Sequence, residues 1–220
     1  MGLFALSDLH LSLHKYKPMD KFGDIWHDHH LKVKENWGQM LNDQDTLLIC
    51  GDTSWAMSLD EAMADLDFLH GLPGKKIFIK GNHDYWWDSV SKLNSLYSDM
   101  VFLQNKCVPY NEYAICGVRG WVCHDEKIYI REQARLKLSL DDAIEQNIDK
   151  IILMMHYPPT NYRYDPSPFI DIIKMYPVKK VIYGHLHGNN HLSGVLGVFD
   201  NVEYILSSAD FLKFCPVRVL

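Results

Sequence analysis

The chain has no apolar run long enough to cross a membrane, no Cys-x-x-Cys pair, no internal repeat and no low-complexity tract. The first absence argues against a membrane-spanning protein. The second excludes a zinc ribbon and a dithiol redox motif. The opening run Leu3-Phe4-Ala5-Leu6 is too short for a signal-peptide core and meets Asp8 at once, and Leu6 stands where a myristoylation signal needs Ser or Thr. Positive charge is also scarce. Lys and Arg total 22 against 28 Asp and Glu, a net charge of -6, which disfavours nucleic acid as a broad partner. The 5 cysteines form no even framework, and Cys50 and Cys116 lie inside apolar runs, so a reducing, cytoplasmic compartment is expected.

What the chain does have is 220 residues, enough for one α/β domain over 1–220, and 12 histidines. Apolar, β-branched runs at Leu3–Leu6, Thr46–Cys50, Ile77–Ile79, Val101–Leu103, Tyr113–Val118, Ile151–Met155 and Lys180–Tyr183 read as strands. Val195–Phe199 and Val202–Leu206 read as a hairpin around Asp200-Asn201. Helical spacing appears at Val33, Trp37, Met40 and Leu41. It recurs after the capping box Ser58-Leu59-Asp60-Glu61, with Leu59, Met63, Leu66 and Leu69 as the stripe, and again near Val90–Tyr97. Residues 126–140 read as a helix, 139–146 as a second one, and 169–175 as a short one. From residue 101 onward strands follow one another with little helix between them, which points to a second sheet.

Five of these strands end in groups able to bind metal. They are Asp8 and His10, then Asp52, then Asn82 with His83, then His156, then His185 and His187. On a parallel sheet such ends meet along one edge. The mixed nitrogen and oxygen set suits Mn, Fe, Zn, Ni or Co better than Ca or Mg. Even seven of these eight groups exceed the four ligands of a single zinc site, so two divalent metal ions sharing a carboxylate is the simpler arrangement.

The ordered blocks Asp8-Leu9-His10, Gly51-Asp52, Gly81-Asn82-His83-Asp84, His156 and Gly184-His185-Leu186-His187 resemble the calcineurin-like metallophosphoesterases. The resemblance spans positions 8 to 187. It implies a four-layer α/β/β/α sandwich, two mixed sheets packed face to face with helices outside. It implies Asp8, His10 and His187 at one metal, Asn82, His156 and His185 at the other, and Asp52 bridging them. His83 would stay off the metals as general acid, with Asp84 orienting it. The expected reaction is hydrolysis of a phosphomonoester or phosphodiester by a metal-bound hydroxide. A small phosphoester is the expected substrate. A nuclease on the same site and a non-catalytic scaffold are the alternatives.

Around this set lie candidates for substrate contact: Trp55, Tyr85 and Trp86 just past ligand blocks, Arg119 between Gly117 and Gly120, and Tyr157, Tyr162 and Arg163 after His156. Trp87 reads as packing. His27, Asp28, His29 and His30 read as a solvated face at a loop–helix junction. Arg131 and Arg135, four apart on a helix, read the same way.

Overall fold

The computed structural model describes all residues except 16, 18 and 122–124. The chain folds into two compact units, Met1–Phe102 with Ser207–Leu220, and Leu103–Leu206. The fold is α/β, with one mixed sheet in each unit.

In the first unit the strands are β1 (Leu3–Ala5), β2 (Thr46–Ile49), β3 (Lys75–Phe78) and β4 (Met100–Phe102). These four run parallel in that spatial order. The last strand of the chain, β11 (Val217–Arg218), adds antiparallel to β1 at the edge. Helices α1 (His29–Met40), α2 (Leu59–His70) and the single turn α3 (Val90–Leu93) connect these strands. Leu47, Ile49 and Phe78 from the strands share one core with Val33 and Trp37 of α1 and Leu66 and Leu69 of α2. One half of the expected α2 capping box forms, with Ser58 Oγ accepting from Glu61 N at 3.4 Å, while Glu61 Oε2 reaches one residue further back and accepts from Met57 N at 2.8 Å. The stripe is shifted from the expected one. Ala62, Asp65, Leu66 and Leu69 are buried, whereas Leu59 and Met63 are half-buried. In α1 the expected face holds at Val33 and Trp37, but Met40 is exposed at the last turn.

In the second unit the sheet order is β5 (Cys107–Tyr110), β6 (Tyr113–Val118), β7 (Ile151–Met155), β8 (Val178–Tyr183), β10 (Val202–Leu206) and β9 (Gly197–Phe199). The four central strands are parallel and the two edge strands pair antiparallel. All five residues of β7 are buried, as its unbroken apolar run requires of a central parallel strand. Asp200 and Asn201 both take positive φ, 49° and 63°, the conformation of a tight hairpin turn. Helix α4 (Glu126–Glu145) runs unbroken where two helices were expected. Ser139 starts no new helix. Its buried hydroxyl donates to Lys106 O at 2.6 Å and accepts from Gly117 N at 3.0 Å, pinning the helix to the sheet. Helix α5 (Pro168–Lys174) is capped by Ser167, with Pro168 in its first turn.

Candidate metal centre

The expected ligands are divided between the two sheets, so a single parallel edge does not account for them. In the first unit β1, β2 and β3 lie side by side, and each runs straight into its ligand block. The backbone leaves ordinary territory there. Asp8, His10 and Asp52 have φ of 57°, 46° and 51°. Non-glycine residues in this region cost on the order of 1–3 kcal/mol each and persist only when their surroundings hold them. Here neighbouring turns hold one another. Asp8 N donates to Gly51 O at 3.0 Å, His10 N to Asp52 O at 3.0 Å, and Leu11 N to Thr53 O at 2.9 Å. Asp8 and His10 are 0% and 3% exposed, and Asp52 1%.

Asp84 is the fastener of this cluster. Its Oδ2 accepts from Asp52 N at 2.9 Å and Gly81 N at 2.7 Å. Its Oδ1 accepts from Thr53 N at 2.9 Å, Ser54 N at 3.4 Å and the Trp86 indole at 3.0 Å. Asp52 Oδ1 in turn accepts from His83 N at 2.8 Å. Gly81 makes the approach possible, because any Cβ there would overlap Asp52. Among the described residues Asp84 makes no hydrogen bond to the His83 ring. It fixes His83 through the backbone of both turns. Burial, and then the neighbouring Asp52 charge, push the Asp84 carboxyl up to about 7, against the pull of the Gly81, Ser54 and Thr53 amides.

Three rings complete the first cluster. Trp55 stacks on His10, with centroids 4.7 Å apart and planes at 23°, and leans on His83 at 4.6 Å. The His10 and His83 rings are 5.8 Å apart, and His10 Nε2 lies 3.9 Å from Asp52 Oδ2. Trp55 also borders a cavity of about 80 Å³, together with His14, Lys17 and Asp65. Tyr85 is 58% exposed with its ring 6.4 Å from His83, whereas Trp86 is buried on Asp84 and Trp87 packs against the core.

In the second unit, His156 and His185 follow β7 and β8. Gly184 N donates to His156 O at 3.2 Å, which keeps the two strand ends in step. Their imidazoles are 5.0 Å apart. The buried Tyr157 ring lies 4.0 Å from His185 and 5.2 Å, edge-on, from His156. Tyr157 therefore braces the histidines. His185 has φ of 71°, and His187 is half-buried just before a 3-10 turn. Arg119 stays in this neighbourhood, because its carbonyl accepts from both His156 N and Tyr157 N. Tyr162 is 56% exposed and hydrogen-bonds Arg163.

Buried carboxylates beside an imidazole in the first strand-end cluster, and imidazoles in the second, are the donor chemistry of a divalent-metal site, so the residues present fit such ions. A model of the calcineurin-like phosphoesterases matches residues 1–189. The chain belongs to the calcineurin-like phosphoesterase family. It is therefore a hydrolase acting on ester bonds, and membership implies divalent metal ions. Two curated relatives are each described as a probable cyclic nucleotide phosphodiesterase. That of Vesicomyosocius okutanii is 24% identical over 202 residues, 84% of this chain and 78% of its own length. That of Ruthia magnifica is 24% identical over 170 residues, 72% of this chain and 69% of its own. Two solved structures share the fold. A protein of unknown function from Aquifex aeolicus has a TM-score of 0.58 at 17% identity, covering 99% of this chain and 95% of its own. One from Thermus thermophilus has a TM-score of 0.59 at 12% identity, covering 98% and 96%.

Sequence reasoning missed three supports of this candidate site. Ser208, two hundred residues away in the chain, donates to Asp8 Oδ2 at 2.9 Å. Ser7 accepts from Cys50 N at 2.7 Å and contacts Ser207 at 2.7 Å. Lone serines carry no periodicity that would have marked them. The third is His29, expected to be solvated, whose partner Trp26 lies edge-on to the His10 ring at 6.0 Å. It is buried against Trp26, with rings 5.3 Å apart and Nδ1 3.1 Å from Trp26 O, and burial lowers its pKa. Of its neighbours, His27 and Asp28 are exposed, as expected.

Proposed function

We propose that the chain is a binuclear-metal-dependent phosphohydrolase acting on a small phosphomonoester or phosphodiester. In this reading, which follows the family resemblance, one ion would be held by Asp8, His10 and His187, the other by Asn82, His156 and His185, with Asp52 shared. The observation that carries the reading is the first cluster, where buried Asp8, His10 and Asp52 stand on strained turns beside the ring of His83. Strain of that kind is maintained at sites that need fixed geometry. The relatives' description as cyclic nucleotide phosphodiesterases supports the diester over the monoester.

When bound, two divalent ions acidify a water to supply the nucleophile and offset charge on the phosphoryl oxygens; Mn, Fe, Zn, Ni and Co all suit the donors. The chain supplies the rest. Asp84 fixes the turns that carry Asp52 and His83, so the distance between them does not drift. Trp55 limits rotation of the His10 and His83 rings. His83 donates its proton to the departing ester oxygen, a step worth roughly 10²–10⁴-fold when the leaving group is a poor one. Tyr85, exposed beside His83, and Trp55 offer aromatic faces to the leaving group. The free thiols Cys50, Cys107, Cys116 and Cys215 support a cytoplasmic setting, and among the described residues no helix is long and apolar enough to cross a membrane.

The test is His83→Ala, assayed on an alkyl phosphodiester and on bis-nitrophenyl phosphate. The alkyl ester should lose roughly 10²-fold or more in kcat, and the nitrophenyl ester much less, since nitrophenolate leaves without a proton. Equal losses at unchanged metal content would remove His83 from the acid role.

A further inference from the structure

Helix α4 presents Glu132 on its buried face, where the residue is 0% exposed. Three guanidiniums converge on this one carboxylate. Arg135 Nη1 donates to Glu132 Oε1 at 2.9 Å, while Arg119 Nη2 and Arg131 Nε each lie 3.5 Å from the same oxygen. Three cations against one anion leave two positive charges over. Guanidinium does not give up its proton under ordinary conditions, so the surplus persists. Burial, with the like charges of Arg131 and Arg135 behind it, lowers the Arg119 pKa, and Glu132 offsets only part of this. Glu132 Oε2 and Arg119 Nε are buried with no hydrogen-bond partner among the described residues. An ion-pair hub built for stability alone would not gather unmatched charge of one sign around buried, unsatisfied atoms.

The cluster is tied to the proposed chemistry. The Arg119 carbonyl holds the amides of His156 and Tyr157 at 3.1 and 3.0 Å, and its guanidinium lies over Trp121 at 4.4 Å. Arg131 and Arg135 keep 51% and 33% of their side chains in solvent, so an incoming anion can reach them. We infer that Arg119, Arg131 and Arg135 form a second anion subsite, which holds a non-reacting phosphate of the substrate. The substrate class is then a phosphoester that carries an additional phosphate group. Guanidinium forks match phosphate oxygens in pairs, and several forks together favour a dianion over a neutral leaving group. This rests on the phosphohydrolase reading, but its test does not require turnover.

The probe is inorganic pyrophosphate, titrated calorimetrically into the full-length chain in EDTA, with circular dichroism confirming the fold of each sample. Wild type should take up one pyrophosphate per chain. Arg131→Gln, which leaves Arg119 and Arg135 on Glu132, should bind roughly tenfold more weakly or worse. Lys137→Gln, an exposed cation on the same helix, should bind as wild type does. No saturable binding by wild type would overturn the inference, as would equal binding by Arg131→Gln or equal weakening by Lys137→Gln. Activity on bis-nitrophenyl phosphate with manganese is scored separately. An active enzyme without pyrophosphate binding loses the subsite and keeps the function, and the converse loses the function alone.

Discussion

The two units fix their metal-capable side chains by different physics. In the first, Asp8, His10 and Asp52 sit at positive φ, and hydrogen bonds hold them there: strand-end amides to carbonyls, and five N–H donors gathered by Asp84. In the second, His156 and His185 follow two fully paired central strands, and the Tyr157 ring wedges them. The polar cluster is specific and vulnerable, because each donor that loses its acceptor is left buried and unsatisfied. The packed cluster is forgiving, because apolar contact falls off gradually as shape changes.

Three substitutions would break or sharpen this contrast. Asp84→Asn should be the most damaging, since the new amide turns N–H groups toward N–H donors. A loss of about 3 kcal/mol or more in urea unfolding is expected, together with loss of metal binding. A smaller loss than from Tyr157→Leu would erase the proposed difference between the units. Tyr157→Leu should cost about 1–2 kcal/mol, mostly through ring contacts, and lower metal affinity modestly in a chelator competition. Ser208→Ala should be mildest in stability, about 1 kcal/mol, because it removes one hydrogen bond to Asp8. Its effect on metal affinity should still reach about tenfold, as for other groups that orient a ligand.

Much of this was legible in the sequence because it is local. An apolar run followed by Gly-Asp or Asn-His-Asp states both the strand and what its end carries, and every such run became a strand. Strand β5 was hidden because Pro109 argues against a strand, and it is tolerated only because β5 lies on a sheet edge. Strand β11 has two residues and no periodicity to read. Residues 126–140 and 139–146 read as two helices, but α4 is continuous, and the Ser139 hydroxyl at the expected break serves the sheet. The spacing of Arg131 and Arg135 reads as a solvated face, and both keep much of their side chains in solvent, but spacing along a helix does not show that Glu132 between them is buried. Asp84 is expected to orient His83, but that it acts through a turn thirty residues away in the chain, Asp52 to Ser54, is something spacing does not convey.

The central claim is that residues from Asp8 to His187 hold a pair of ions. Metal content measured by mass spectrometry after equilibration with saturating manganese and removal of the excess tests it directly. The account predicts two ions per full-length chain, with activity on bis-nitrophenyl phosphate appearing only as the second is taken up. One ion or none per chain, at full folding, would contradict it.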